Sequence, residues 1–293
     1  MGKRFAEAQA AFDRLEAYIA ASAKAEDLPD PVKWAEQVLG FALDPWQQNI
    51  MRSQHHRLVV VAARQSGKSV ITGAKDAYDA MRIPGLRVVV VSPSFRQSAL
   101  LAAKIDDALA GSGQAVKRVR ERMTLPNGST VQVLHGDRAS TLRGYTADLL
   151  LADELAFAKP ELAPAILPMV GASKGRLIAI SSPNGPGGIV YDMAHQDGVE
   201  FMQVPARAVG HFDSAVIAEI RGRLGAQLAR QELDAEFVAS ASSVFDADAL
   251  DRMFAPSELP EDATDVDAQE TGLQERFRRQ QNREQTLNYW QGM

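Results

Sequence analysis

The segment from Ala62 to Ser69 has the residue types and the spacing needed to bind phosphate. It runs Ala-Ala-Arg-Gln-Ser-Gly-Lys-Ser, which is the phosphate-loop pattern with alanine where the first glycine usually stands. Glycine near the end lets the backbone curl, so that successive N–H groups point inward at phosphate oxygens. The lysine is placed to reach the β- and γ-phosphates, and the last serine to ligate Mg²⁺. The sequence therefore predicts an ATP and Mg²⁺ site made by Ala63, Arg64, Gln65, Ser66, Gly67, Lys68 and Ser69.

Arg64 has a second possible role, because arginine is unusual inside such a loop. A guanidinium at this point can reach the γ-phosphate and neutralise charge as the bond breaks, as an arginine finger does in cis. The alternative is an ordinary surface residue in a salt bridge. We treat Arg64 as a candidate catalytic residue and keep this alternative open.

Two acids follow the apolar run at residues 149–152. Ligands of a parallel sheet bind at the carboxyl ends of its strands, so Asp153 and Glu154 would project toward the nucleotide. Asp153 would hold Mg²⁺, and Glu154 would orient and polarise the attacking water. Adjacent residues on a strand point in different directions, so the two acids can serve two roles.

A second strand ends in hydroxyl groups, because residues 177–183 are Leu-Ile-Ala-Ile-Ser-Ser-Pro. At this position Ser181 or Ser182 can hydrogen-bond the γ-phosphate or its water and report the loss of phosphate to neighbouring elements. The glycine-rich loop at 184–188 could move with them. A strand that is simply followed by a turn is an equally good interpretation.

Three further motifs have weaker signals. The amide of Gln47 could donate and accept at the adenine edge, whereas Trp46 beside it favours core packing. Arg143 could sense nucleotide or contact a neighbouring subunit, or be an ordinary loop arginine. The basic cluster at 117–122 is a candidate DNA or subunit contact, although a solvated face explains it as well.

Strands that alternate with helices must position these residues. Buried strands are predicted at 58–62, 87–91, 149–152 and 176–181, and helices at 31–38, 68–81, 97–110 and 214–239. Residues 123–134 predict a hairpin around Asn127-Gly128. We divide the chain into an N-terminal helical segment (1–40), an α/β domain (41–255), and an acidic linker with a C-terminal helix (256–293).

The composition excludes several classes of protein. The 293 residues include 46% hydrophobic residues, five histidines and no cysteine, so disulfides, thiolate chemistry and a histidine-spaced metal site are excluded. Apolar runs are strand-sized, far short of the ~20 residues of a membrane helix. A net charge of −5 excludes a generally basic nucleic-acid coat but not a local basic track.

In combination and order, these motifs resemble the ATPase half of phage large terminase subunits over about residues 34–250. The resemblance rests on Asp44-Pro-Trp-Gln47, the loop with Arg64, Val91-Ser-Pro93, Leu142-Arg-Gly144, the acidic pair and Ser181-Ser-Pro183. The stretch from Gln231 to Phe237, leading to Phe245, fits as well. It implies a P-loop NTPase of the additional-strand, catalytic-glutamate (ASCE) type. That fold is a RecA-like three-layer α/β sandwich with a mainly parallel sheet and an N-terminal helical lid segment.

The resemblance also implies a role and partners. Such subunits couple ATP hydrolysis to translocation of double-stranded viral DNA into a procapsid, as a homo-oligomeric ring on the portal protein with a small terminase subunit. They work in the cytoplasm of the bacterial host, without a membrane. Family members usually continue into a nuclease domain, whereas residues after 255 contain no apolar strand. We therefore expect no nuclease activity here and a possible separate nuclease subunit.

Two other functions compete with a packaging motor. A helicase-like DNA translocase would need a second RecA-like domain, for which no room exists after residue 255. A catalytically silent assembly protein on the same fold would not need Lys68, Asp153 and Glu154, all of which are intact.

Overall fold

The computed structural model describes residues 28–137 and 139–239, and its centre is one eight-stranded sheet. The strands are β1 (Arg57–Ala62), β2 (Arg87–Ser92), β3 (Lys117–Val119), β4 (Arg122–Thr124), β5 (Thr130–His135), β6 (Leu149–Asp153), β7 (Arg176–Ser181) and β8 (Glu200–Val204). Their order is β3-β4-β5-β2-β6-β7-β1-β8. Strand β4 pairs antiparallel with β3 and β5, and the other pairs of described strands are parallel. The sheet is therefore mainly parallel, as predicted.

Helices cover both faces of the sheet. They are α1 (Pro31–Leu39), α2 (Pro45–Arg52), α3 (Lys68–Arg82), α4 (Phe95–Gly111), α5 (Leu162–Gly171), α6 (Ile189–Ala194), α7 (Ser214–Leu224) and α8 (Ala226–Glu232). Alternate residues of each central strand belong to two different hydrophobic clusters, one containing α1–α4 and the other α5 and α6. This explains why the strands have no polar face: both sides are buried. The predicted three-layer α/β sandwich is confirmed.

The alternation of side chains along β6 determines the direction in which Asp153 points. Leu149 and Leu151 of β6 pack into the cluster of α3, whereas Leu150 and Ala152 pack on the opposite side. Asp153 continues the first series, so it points toward the start of α3. Strand β7 lies between β6 and β1, as the additional strand of the predicted fold requires.

A third, smaller cluster lies beside the end of β1. Ala63, Ala206, Ala229 and Leu233 form it, and partly buried residues of α7 pack against it. The predicted single helix over 214–239 was wrong, because Gly225 separates α7 from α8 and helical structure ends at Glu232. Gly225 has φ +75° and ψ 163°, a conformation that no helix contains.

Other elements follow the sequence prediction closely or were missed by it. The structure contains the four predicted buried strands, the helices predicted at 31–38, 68–81 and 97–110, and the 123–134 hairpin. Strand β8 was missed because it is a sheet edge whose outer residues, such as Phe201, are exposed. Residues 1–27 of the N-terminal helical segment, the acidic linker and the C-terminal helix lie outside the described residues, so the domain boundaries stay predictions. None of the described helices is long and apolar enough to cross a membrane.

Candidate nucleotide-binding site

The loop between β1 and α3 forms one wall of an open pocket of 580 Å³ at the carboxyl ends of the strands. Gly67 has φ +85°, which glycine adopts without strain, and α3 begins at the next residue. Free N–H groups of a helix start and the positive end of its dipole favour an anion there. Residues 64–70 line the pocket. Ala63 differs, because its N–H donates to the Val204 carbonyl at 2.9 Å and anchors the loop to β8.

Lys68 joins the loop to the two neighbouring strand ends. Its side chain is only 9% exposed, and Nζ lies 3.0 Å from Oε1 of Glu154. The same ammonium donates to Oγ of Ser182 at 2.9 Å. The loop, the end of β6 and the end of β7 therefore meet around one buried cation, which brings together Lys68, Glu154 and Ser182.

Asp153 and Ser69 form a pair of hard oxygen ligands beside the loop. The Ser69 hydroxyl donates to Oδ2 of Asp153 at 3.3 Å, whereas Oδ1 is buried and has no hydrogen-bond partner among the described residues. Burial, and then the charge of Glu154, raises the pKa of Asp153 to about 6. A buried carboxylate with one free oxygen next to a hydroxyl fits Mg²⁺, which takes few carboxylates and completes its shell with water and phosphate. The side chains of Ser69 and Asp153 therefore fit Mg²⁺, the metal that the phosphate loop implies.

Glu154 is held in an uncommon backbone conformation. Its φ is 52° and its ψ 35°, a left-handed geometry that few non-glycine residues adopt. The N–H of Glu154 donates to the Ile180 carbonyl at 2.7 Å, which ties this turn to β7. Oε2 lies 3.4 Å from the N–H of Ser182 and 3.4 Å from Oγ of Ser181. The turn therefore directs the Glu154 side chain away from Asp153 and into the pocket, as expected of adjacent residues with different roles.

Ser181 connects this carboxylate to the residues that follow it. Its Oγ accepts a hydrogen bond from the Ala156 N–H at 3.3 Å. Asn184 in the glycine-rich loop donates to the Ala156 carbonyl at 2.9 Å. Three hydrogen bonds therefore connect the Glu154 carboxylate, through Ser181 and Ala156, to Asn184.

Arg64 lines the pocket but points toward α8. Its Nε lies 2.7 Å from Oε2 of Glu232, and its side chain is 62% exposed. The guanidinium also lies 5.9 Å from the ring centroid of Phe157. In this structure Arg64 is a salt-bridge residue at the rim of the pocket, within reach of a phosphate only after the side chain turns.

The Asp44-Pro-Trp-Gln47 motif starts a helix. Asp44 is the N-cap of α2, Pro45 its first residue, and Oε1 of Gln47 accepts from the Asp44 N–H at 3.0 Å. This is a capping box, which satisfies N–H groups that a helix start leaves free. Gln47 is buried behind Gly67 and does not line the pocket, so its contact with adenine stays a prediction. Trp46 is in the core, as favoured.

The two arginine motifs lie away from the pocket wall. Arg143 is exposed in the loop before β6, and the basic cluster forms the exposed β3–β4 hairpin. Arg118 of that hairpin pairs with Asp106 of α4. No described residue of either motif lines the pocket, so their roles stay predictions.

Four residues that the sequence analysis did not single out also line the pocket: Val70, Gln97, Lys104 and Phe157. Gln97 and Lys104 both come from α4, and their spacing of two helical turns puts them on one face. A helix that follows the carboxyl end of β2 faces the ligand rim of the sheet. That spacing was the signal that could have identified them.

The comparisons with known proteins agree with this geometry. A family model described as "Terminase large subunit, T4likevirus-type, N-terminal" matches residues 59–252. The large terminase subunits of Thermus phage G20c and Thermus virus P23-45 are each 25% identical over 171 residues, which is 51% of this chain and 35% of each relative. The chain thus matches about a third of the length of these relatives.

Solved structures have the same fold. The large terminase ATPase domain of Thermus phage P74-26 superposes with a TM-score of 0.63 at 21% identity, over 72% of this chain and 100% of that chain. The ADP complex of a large terminase from another thermophilic bacteriophage gives 0.58 at 12% identity, over 67% and 54%. The likeness at these identities establishes an additional-strand P-loop fold. With the family match over most of the described sheet, it follows that the chain belongs to the large terminase family, of which it contains the N-terminal ATPase domain.

Proposed function

We propose that this chain hydrolyses ATP with Mg²⁺ and couples the reaction to translocation of double-stranded viral DNA into a procapsid. The observation that supports it most directly is the meeting of the Lys68 loop with both acids at the carboxyl ends of β1, β6 and β7. Family membership supports a packaging role, and one of the structurally similar terminases was solved with ADP and with ATP-γ-S.

Each residue of the pocket has a separate part in this reaction. The N–H groups of the loop and Lys68 bind the β- and γ-phosphates, while Ser69 and Asp153 would hold Mg²⁺, which would neutralise phosphate charge. Glu154 takes the proton of the water that attacks the γ-phosphorus. To bind phosphate, Lys68 has to exchange its 3.0 Å contact with Glu154 for phosphate oxygen, which frees the carboxylate for the water.

Arg64 supplies positive charge to the breaking bond. Its present partner, Glu232, lies at the end of α8. Contact with phosphate therefore requires that Arg64 leave α8. Arg64 acts on turnover more than on binding, because the charge that it neutralises develops in the transition state.

Ser181 and Ser182 couple the loss of phosphate to movement. Both touch the Glu154 carboxylate, and Ser182 also accepts from Lys68. When the γ-phosphate leaves, Lys68 returns to Glu154, and the hydrogen bonds through Ala156 to Asn184 transmit the change. The loop at 184–188 is the first segment expected to move.

The partners follow from the packaging role. They are double-stranded viral DNA, the portal protein, the small terminase subunit and further copies of this chain in a ring, and a separate nuclease subunit is a further expected partner. The site of action is the host cytoplasm, with transient attachment to the procapsid portal. A helicase-like translocase and a catalytically silent assembly protein are the alternatives.

Phosphate release by the purified chain tests the proposal. We expect turnover that rises with portal or procapsid and double-stranded DNA, whereas stimulation by single-stranded DNA would favour a helicase. Glu154→Gln should bind ATP and lose roughly 10²-fold or more in turnover, as expected when a general base is removed. Glu161→Gln, at an exposed carboxylate, is the matched control and should have wild-type turnover. Unchanged turnover in Glu154→Gln would remove the role of this carboxylate.

Arg64→Ala tests the arginine finger separately. We expect ATP affinity within about twofold of wild type and turnover reduced by roughly 10²-fold or more, since fingers act on the transition state. Arg207→Ala is a suitable control, because Arg207 is another exposed arginine with a carboxylate partner, Asp234. A loss of affinity with normal turnover would show that Arg64 is not a finger.

A further inference from the structure

Helix α4 contributes a second wall to the nucleotide pocket. Gln97, Leu101 and Lys104 share one face of the helix, since they are separated by one helical turn each. Leu101 is buried in the core that α3 and α4 share, which fixes the orientation of this face. Gln97 and Lys104 line the same pocket as Lys68 and Glu154. Their position therefore follows from helix packing and not from a loop.

Lys104 lies close to the first turns of α3. Its Cβ is 3.4 Å from the place that a Cβ on Gly73 would occupy, so the two helices cross there. Gly73 is one helical turn beyond Ser69, so the Lys104 side chain starts about 6 Å along the axis from the metal-ligating hydroxyl. A lysine side chain spans that distance.

Lys104 forms no ion pair with a carboxylate among the described residues. Lys68 and Arg64 have carboxylate partners at 3.0 Å and 2.7 Å, whereas Lys104 makes no salt bridge with any described residue. It is half-buried and near enough to Asp153 to lower the pKa of that carboxyl, against the larger effect of burial. An unpaired ammonium inside a phosphate pocket is suited to an anionic ligand.

We propose that Lys104 binds the terminal phosphate of the nucleotide and so makes the site select triphosphate over diphosphate. Ser69 and Asp153 would hold Mg²⁺, which would neutralise phosphate charge, and Lys104 would reach the terminal phosphate from the α4 side of the same pocket. A diphosphate has no group at that point. The inference rests on the proposed ATPase function and adds a binding residue that the loop motif does not contain.

A competing role for Lys104 gives a different result. If its charge only tuned Asp153, its removal would alter metal binding equally for both nucleotides. Contact with the γ-phosphate predicts instead an effect confined to the triphosphate. The ratio of the two affinities therefore separates the two roles.

The test compares Lys104→Met with wild type in nucleotide binding at saturating Mg²⁺. Methionine keeps the aliphatic stem that packs near Gly73 and removes the charge. We expect affinity for a non-hydrolysable ATP analogue to fall roughly tenfold or more, as for loss of a hydrogen bond to a charged group, with ADP affinity within about twofold. Lys104→Arg should restore most of the ratio. Lys33→Met, at an exposed lysine of α1, should change neither affinity.

Each other outcome contradicts the inference. Equal losses for the analogue and ADP, or no loss for either, would mean that Lys104 does not touch the terminal phosphate. If Lys104→Met does not fold, Lys104→Gln replaces it. The same binding measurements and the same outcomes then test the inference. If the wild-type chain binds neither nucleotide, the proposed ATPase function fails, and this inference fails with it.

Discussion

A buried carboxylate lies near each end of helix α3, and the two differ in how many protein groups bind them. At its start, Asp153 receives one hydrogen bond, from Ser69, and keeps a buried oxygen without a partner in the described chain. Near its end, Asp79 lies 3.1 Å from Nζ of Lys75 and 3.0 Å from Nη1 of Arg176. Protein cations bind the Asp79 carboxylate, whereas Asp153 has an oxygen free for a further positive ligand.

Asp79 also connects elements at the amino ends of the strands, opposite the pocket. Arg176 begins β7, and its guanidinium donates to the carbonyls of Ser53 and His55 after α2. Lys75 and Asp79 are both fully buried, and burial lowers the pKa of Lys75. This network fixes the position of β7 relative to α3. It thereby sets the positions of Lys68 and Ser182 at the carboxyl ends of the strands.

The largest predicted effect is on Asp79, because its loss would leave buried cations without a partner. For Asp79→Asn we expect the free energy of unfolding to fall by ~3–5 kcal/mol, the usual result of breaking a buried pair. Urea unfolding monitored by circular dichroism measures it. Asp107→Asn, at an exposed position of α4, is the control and should change stability by less than ~0.5 kcal/mol. A similarly small change at Asp79 would show that the network does not stabilise the fold.

Asp153→Asn should change stability in the opposite direction. Because the folded state raises the pKa of Asp153 to about 6, its ionised form is disfavoured there, and stability falls as pH rises from about 4 to about 6. Asparagine has no charge to bury, so at pH 7 without metal the variant should gain up to about 3 kcal/mol while losing ATP hydrolysis. Urea unfolding at both ends of this pH range tests the sign. Destabilisation at pH 7 would contradict the comparison.

The smallest predicted effect is on metal affinity. Mg²⁺ has to displace the proton from Asp153, so its affinity should fall as pH drops below about 6, approaching tenfold per pH unit. Magnesium titrations of ATP binding between about pH 5 and about pH 7 measure this dependence. In Asp153→Asn the affinity should be weak and lack this slope. A flat profile in the wild type would show that Asp153 is not the ligand.

Local motifs predicted much of the site, because local backbone chemistry creates it. The loop before Lys68 needs only a strand, a glycine and a helix start, and Asp153 needs only the end of a buried strand. The sequence could not indicate that Glu232 pairs with Arg64, since α8 folds back beside the loop from far along the chain. Gln97 and Lys104 were missed because their helical spacing is also that of any amphipathic helix. Gln47 has a capping role that depends on Asp44, and the helix that this motif begins, α2, was not among the predicted helices.

The order of strands has a consequence for synthesis on the ribosome. Strand β1, which leads into the phosphate loop, has as its two neighbours β7 and β8, both of which emerge much later. Contacts between distant parts of a chain form slowly and leave sheet edges exposed in the meantime. A nascent chain that ends before β8 therefore has an unpaired β1 edge, and we expect nucleotide to stabilise the protein only after residue Val204 has left the exit tunnel.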